Sequence, residues 1–333
     1  LPEGVTICLV EGYPLPEPVA GGKPDYHPSF DARSTALSYS SRLIYEKTGL
    51  WDDLQQWLCP IETIHVSSRG HFGSTLLRAV DYDWQALGYV VENAWLGSAL
   101  IQALHRLGRV ELRSPARVVA AHPRGTGTRV VLEGSEDAEL EAALLVVADG
   151  AGSGLREQLG VAVAEESYGQ HALIANVATA EPHRGCAYER FTDQGPLALL
   201  PLLPAPGGEH RSALVWTLPT EQAEQLRASP PAEVMQALQR RFGSRLGRLQ
   251  HVGEMHSYPL SLVQSTEQVR QGIVVMGNAA HALHPVAGQA YNLALRDVAE
   301  LADVLREGLS QGVAAGDLSL LQRYETRQRA DQE

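Results

Sequence analysis

Residues 277–297 read GNAAHALHPVAGQAYNLALRD and follow the apolar run Gly272-Ile273-Val274-Val275-Met276. A run of that length and composition, bounded by glycine, reads as a buried strand. The residues from Tyr291 onward are rich in alanine and leucine and read as an amphipathic helix. A strand that passes through a small-residue turn into a helix offers unpaired backbone N–H groups at the helix start. The helix dipole adds partial positive charge there, which suits an anion or a polarised carbonyl. Pro285 and Gly288 lie between the two elements, where they can hold a loop close to a flat ligand.

Other segments extend this pattern. Val5-Thr6-Ile7-Cys8-Leu9-Val10-Glu11 reads as a parallel-sheet strand ending in an acid. In a dinucleotide-binding fold an acid at that place takes the ribose hydroxyls. Its usual glycine-rich turn, about 20 residues earlier, is missing, so the chain reads as starting at the second strand. The end, TRQRADQE, stops inside a helical pattern without a cap. Leu144-Leu145-Val146-Val147-Ala148-Asp149-Gly150 is a second buried strand, and Ser153 and Arg156 complete a DGxxSxxR pattern. By itself that pattern also describes a plain strand–turn–helix with a good N-cap.

Both patterns resemble FAD-using aromatic-ring hydroxylases, and residues 284–297 resemble the HPxAGQGxNxGxxD signature of the ubiquinone-biosynthesis hydroxylases. Ala290 and Ala294 stand where that signature has glycine. Ala294 suits a helix, whereas the Cβ of Ala290 limits close approach of a flavin. His65–His71, Arg190-Phe191-Thr192 and Gly195-Pro196-Leu197-Ala198 resemble the branch that hydroxylates 2-octaprenyl-6-methoxyphenol.

The resemblance implies an α/β protein with a Rossmann-like FAD-binding domain of aromatic hydroxylase type and an inserted antiparallel-sheet substrate domain. The first strand and glycine-rich turn would be missing. The flavin domain would comprise 1–58, 85–165 and 258–333, and the substrate domain 59–84 and 166–257. It also implies site residues. Glu11 would bind the adenosine ribose, Arg33 would lie near the phosphate, and Asp149 near the pyrophosphate. Gly277 would open the turn, and Asn278 would meet the ribityl chain. Pro285 would lie against the flavin ring. Gly288, Gln289 and Ala290 would offer amides to its pyrimidine edge, beside Asn292. NAD(P)H would be co-substrate, O2 the oxygen donor, and a prenylated phenol the acceptor. Tyr188, Phe191 and Trp216 read either as pocket lining or as sheet core. No acid–base catalyst stands out.

The chain as supplied is therefore expected to bind FAD weakly or not at all. Its expected partners are other ubiquinone-biosynthesis proteins, and its expected location is the cytoplasm, with peripheral contact at the inner face of the cytoplasmic membrane. Two rivals remain open: a flavin oxidoreductase acting on another phenol, and an inactive scaffold.

Composition sets outer bounds. The 333 residues are 44% hydrophobic and 20% charged, enough for two domains or one large α/β domain. A net charge of −12 argues against nucleic acid. No apolar run approaches the roughly 20 residues of a membrane span. Cys8, Cys59 and Cys186 are too few and too scattered for a disulfide frame. His281 and His284 are spaced for a metal but lack further ligands at suitable spacing, so no metal is assigned.

The remaining pattern gives a helix up to about Leu58, strands over 61–71 and 72–80, and a helix over 92–107. Strands over 110–122, 128–132 and 139–147 read as one small antiparallel layer.

Overall fold

The computed structural model describes residues 2, 4–16, 33–134, 138–282 and 289–332. Its first elements are β1 (Ile7–Val10), β2 (Ser34–Ser38), α1 (Tyr39–Lys47), α2 (Trp51–Leu54), β3 (Cys59–Ile61), β4 (Thr63–Ser68) and β5 (Ser74–Arg78). Then come β6 (Gly88–Glu92), α3 (Asn93–Leu107), β7 (Val110–Arg113), β8 (Arg117–Arg124), β9 (Gly127–Glu133), β10 (Glu139–Ala142), β11 (Leu145–Val147) and α4 (Gly154–Gln158). The next group is β12 (Val163–Thr179), β13 (Cys186–Thr192), β14 (Gly195–Pro201), β15 (His210–Pro219), α5 (Thr220–Ala228) and α6 (Pro231–Phe242). The last are β16 (Leu249–Val252), β17 (His256–Ser265), β18 (Val269–Arg270), β19 (Ile273–Val275), β20 (His281–Ala282), α7 (Gln289–Ser310) and α8 (Leu318–Gln332).

Two compact units divide the chain. The first comprises Leu1–Pro28, Ile101–Glu166 and Ser261–Glu333, and the second Ser29–Leu100 and Ser167–Leu260. These boundaries differ from those drawn along the sequence, because 29–58 and 85–100 group with the second unit. The reason is a local sheet: β2 and β3 both pair antiparallel with β6, which ties these three segments together.

In the first unit, β11 runs parallel to β19 in the register Leu145↔Ile273, Val146↔Val274, Val147↔Val275. β19 is buried on both faces, which explains its unbroken apolar sequence. Val274 and Met276 pack with Leu301, Val304, Leu321 and Tyr324 of α7 and α8. Ile273 and Val275 pack with Val147, Leu155 and Ala279. β1 forms a separate parallel ladder with β7. Among the described residues, only β8, β9 and β10 make the small antiparallel layer. The expectation that 110–113 and 145–147 join it is corrected: both find parallel partners distant in sequence.

The second unit holds an extended sheet in the order β17-β12-β15-β14-β13-β4-β5. One face packs under α5 and α6 through Leu197, Leu214, Trp216, Val234, Leu238 and Phe242. The helix expected to run to Leu58 is broken after α1. Gly49 adopts φ +72°, its N–H bonds Glu46 O at 3.1 Å, and the Leu50 N–H bonds Tyr45 O at 2.9 Å. This left-handed glycine cap ends the helix and lets α2 start in a new direction.

Gly316 shows how tightly the first unit is tied. Its carbonyl accepts from Gly272 N at 2.8 Å, and an added Cβ would overlap the Ala143 carbonyl and stand 2.6 Å from Thr126 O. Gly316→Ala is expected to lower stability by about 1–3 kcal/mol through backbone displacement. A urea denaturation midpoint equal to that of the unaltered protein would show that the loop yields freely.

Candidate flavin site

The site begins where β11 and β19 end side by side. Met276 donates its N–H to Val147 O at 3.0 Å, which sets the two carboxyl ends level. Each strand then enters a small-residue turn: Ala148-Asp149-Gly150 after β11 and Gly277-Asn278-Ala279 after β19. In parallel α/β sheets, ligands bind beyond the carboxyl ends of adjacent strands.

Asp149 and Asn278 are both exposed at these ends. Among the described residues, a Cβ placed on Gly150, Gly152 or Gly154 would meet nothing within 4 Å. The turns therefore leave open space lined by backbone, an acid and an amide. That fits a group whose phosphates need backbone N–H donors and whose hydroxyls need acceptors. The opening of α7 lies close by: a Cβ on Gly277 would meet the Ala294 Cβ at 3.8 Å. Ala290 is half-buried and Asn292 buried in the first turns of α7. The N–H groups at the start of this helix have no intrahelical acceptor.

Buried polar contacts hold the turns. Ser153 caps α4, its Oγ accepting from Arg156 N at 3.0 Å. The buried Arg156 reaches across to donate from Nη1 to Ala279 O at 2.8 Å. The arginine of the DGxxSxxR pattern thus ties the β11 side to the β19 turn. His281 Nε2 lies 2.6 Å from Asp297 Oδ2, both side chains being buried. This pair joins β20 to the third turn of α7, so the two ends of the segment between them are pinned together. His281 Nδ1 has no hydrogen-bond partner among the described residues.

The other expected residues fall as follows. Glu11 ends β1 in the first unit, and its Oε1 accepts from Tyr13 N at 3.0 Å. Pro285 and Gly288 lie outside the described residues, as does the Gln289 side chain. Arg33 belongs to the second unit, with its guanidinium 4.9 Å from the Tyr258 ring centroid. Trp216 is fully buried in the core beneath α6, and Tyr188 packs against the same cluster. That is the sheet-core placement left open by their sequence. Burial first, and Cys186 second, push the Tyr188 phenol up to about 12, so it stays neutral. Phe191 is exposed.

In the sequence, His281 pairs with His284 at metal spacing, and nothing local points to Asp297. No group of three or more metal-binding side chains occurs among the described residues. The available signal was in α7: Leu293, Asp297, Leu301 and Leu305 recur at helical spacing on a buried stripe. An acid in an apolar stripe calls for a buried partner. His281→Ala would leave the Asp297 carboxylate buried without this partner, at an expected cost of about 3–5 kcal/mol in chemical denaturation. His281→Gln retains a donor and is expected to recover part of that loss; equal losses for both variants would deny the pair its role.

A family model described as an FAD binding domain matches residues 27–332. The chain is 36% identical over 330 residues to a protein named ubiquinone hydroxylase UbiL from Rhodospirillum rubrum, covering 99% of this chain and 73% of that one. It is 31% identical to the 3-demethoxyubiquinol 3-hydroxylase of Escherichia coli K12, covering 98% and 80%. Among solved structures it resembles a PqsL variant of P. aeruginosa with a TM-score of 0.79 at 21% identity, covering 98% and 86%. It resembles p-nitrophenol 4-monooxygenase PnpA of Pseudomonas putida with a TM-score of 0.75 at 18% identity, covering 98% and 79%. These two likenesses carry the fold alone. FAD is the family cofactor, and the expectation of weak binding gains no support from these matches. The chain belongs to the FAD-dependent aromatic hydroxylases of ubiquinone biosynthesis, and it is an aromatic monooxygenase by that membership.

Proposed function

We propose that this protein hydroxylates the ring of a 2-polyprenylphenol, of 2-octaprenyl-6-methoxyphenol type, with NAD(P)H as reductant and O2 as oxygen donor. The observation that carries this reading is the open strand-end mouth at Asp149 and Asn278, in a chain so similar to hydroxylases of ubiquinone rings. Ring hydroxylation needs a redox-active carrier, and FAD supplies that chemistry when bound.

The chain's own task is binding, orientation and exclusion of water. In this reading the first unit carries the flavin and the second the phenol. Glu11 accepts from the ribose hydroxyls. Asp149 stands by the pyrophosphate through water or backbone groups. Asn278 accepts from the ribityl hydroxyls without adding charge. Pro285 presents a flat apolar face to the ring. The amides of Gly288, Gln289 and Ala290 favour negative charge on the pyrimidine edge, with Asn292 in the same helix start. No side chain is needed as an acid–base catalyst.

Asp149 is exposed, so Asp149→Ala is expected to shift stability by less than about 0.5 kcal/mol. The same change is expected to weaken FAD binding about tenfold, as for loss of the water or backbone groups that Asp149 holds by the pyrophosphate. Flavin fluorescence titration beside thermal unfolding separates the two effects; unchanged affinity would remove Asp149 from the site.

Turnover decides the reaction. The protein with FAD, NADH or NADPH and a short-chain 2-polyprenylphenol is expected to place one atom of labelled O2 on the ring, read by mass spectrometry. Reductant consumption with no label in the phenol would indicate an oxidoreductase of another kind, and absence of both FAD binding and turnover a scaffold.

A further inference from the structure

We propose that the free edge of the second unit, formed by β5 and the β4–β5 turn, is a docking surface for an anionic phospholipid bilayer. Its first basis is exposure. Among the described residues β5 pairs with β4 alone, and all five of its residues are exposed. Phe72, at the tip of the β4–β5 turn, is fully exposed, and Leu76 is exposed on the strand. β5 is short, but an edge strand that bares Leu76 and Leu77, one on each face, leaves unpaired backbone and apolar side chains for a partner. A large aromatic at a loop tip suits insertion at the headgroup boundary.

The second basis is charge. The chain carries −12 overall, yet no acid occurs from Thr63 to Val80, nor from Gln239 to Gln250, where four arginines stand. The register Tyr188↔His65 and Arg190↔Ser67, with His65↔Leu76, puts Arg190 and Leu76 on one sheet face. Arg241 and Arg245 reach the same surroundings from α6 and the residues after it. Burial first, then Arg245 and Arg69, depress the pKa of Arg190. Burial, and then Arg69, do the same for Arg241. These arginines repel one another, and Asp193, 3.3 Å from Arg69, offsets one of them. Nε of Arg190 and of Arg241 are buried with no acceptor among the described residues. Arg190 also donates to Ser67 Oγ at 3.4 Å and Arg241 to Gln194 Oε1, whereas the exposed Arg245 lies beside them. A net cationic cluster flanking exposed apolar side chains complements lipid phosphates over an acyl layer. A second copy of the chain fits less well, since a symmetric pairing along β5 would bring two such clusters together.

This surface serves the proposed polyprenyl substrate, which partitions into bilayers, but it rests on separate observations. Its test uses no turnover, so either proposal can fail alone. The probes are vesicles of phosphatidylcholine alone and vesicles containing about one third phosphatidylglycerol, read by co-sedimentation. The holoprotein is expected to bind only the anionic vesicles, less as salt rises. Arg245→Glu is expected to weaken binding at least about fivefold, and Phe72→Ser about tenfold. Both side chains are exposed, so folding should survive. Arg124→Glu, an equal charge change in the first unit, is expected to leave binding nearly unaltered. Four results would overturn the proposal. These are equal binding to both vesicle types, binding to neither, Arg245→Glu behaving like Arg124→Glu, or a dimer in light scattering that Phe72→Ser dissolves.

Discussion

The parallel pairing of β11 with β19 is the constraint on which the rest depends. It brings together two segments far apart in sequence, sets their carboxyl ends level through the Met276–Val147 hydrogen bond, and buries Val274 and Val275 on opposite faces. The neighbouring positions of Asp149 and Asn278 follow from that alignment. Without it, Asp149 and Asn278 are two unrelated loop residues. The contacts around it serve the same arrangement: Arg156 bridges to Ala279 O, and Thr128 Oγ1 donates to Gly272 O at 3.0 Å. The geometry of the mouth is thus set by backbone hydrogen bonds and two buried polar side chains, while the mouth itself is lined by small residues.

What the sequence revealed divides along the same line. β19 was legible because burial on both faces leaves an unbroken apolar run between glycines. α3 was legible because fifteen residues show one consistent period. The DGxxSxxR and 277–297 patterns carry their chemistry in consecutive residues, so they too could be read locally. Pairing could not. Val110 and Leu145 look like any short strand, and only the fold shows that both have parallel partners. Gly49 marks the break after α1, but the apolar pattern on either side continues at a helical spacing and masks it.

The candidate site was half legible for a related reason. Asp149, Gly277 and Asn278 sit in consecutive-residue patterns, and the resemblance of those patterns to the flavin hydroxylases suggests their roles. The His281–Asp297 pair joins a strand to the interior of a helix, and neither residue alone signals the other. Trp216 could be pocket or core by composition, and the difference lies in α6 packing over it, a contact that no local pattern contains. The basic edge of the second unit was hidden by averaging. A net charge of −12 is silent on arginines that three separate segments bring into one neighbourhood of the second unit.

Hydrogen–deuterium exchange with and without FAD tests the central claim most directly. The account requires flavin-dependent protection of the amides in 148–154, 276–282 and 289–292, the turns beyond β11 and β19 and the start of α7. Protection confined to other segments, with these three exchanging at the same rate in both states, would contradict it.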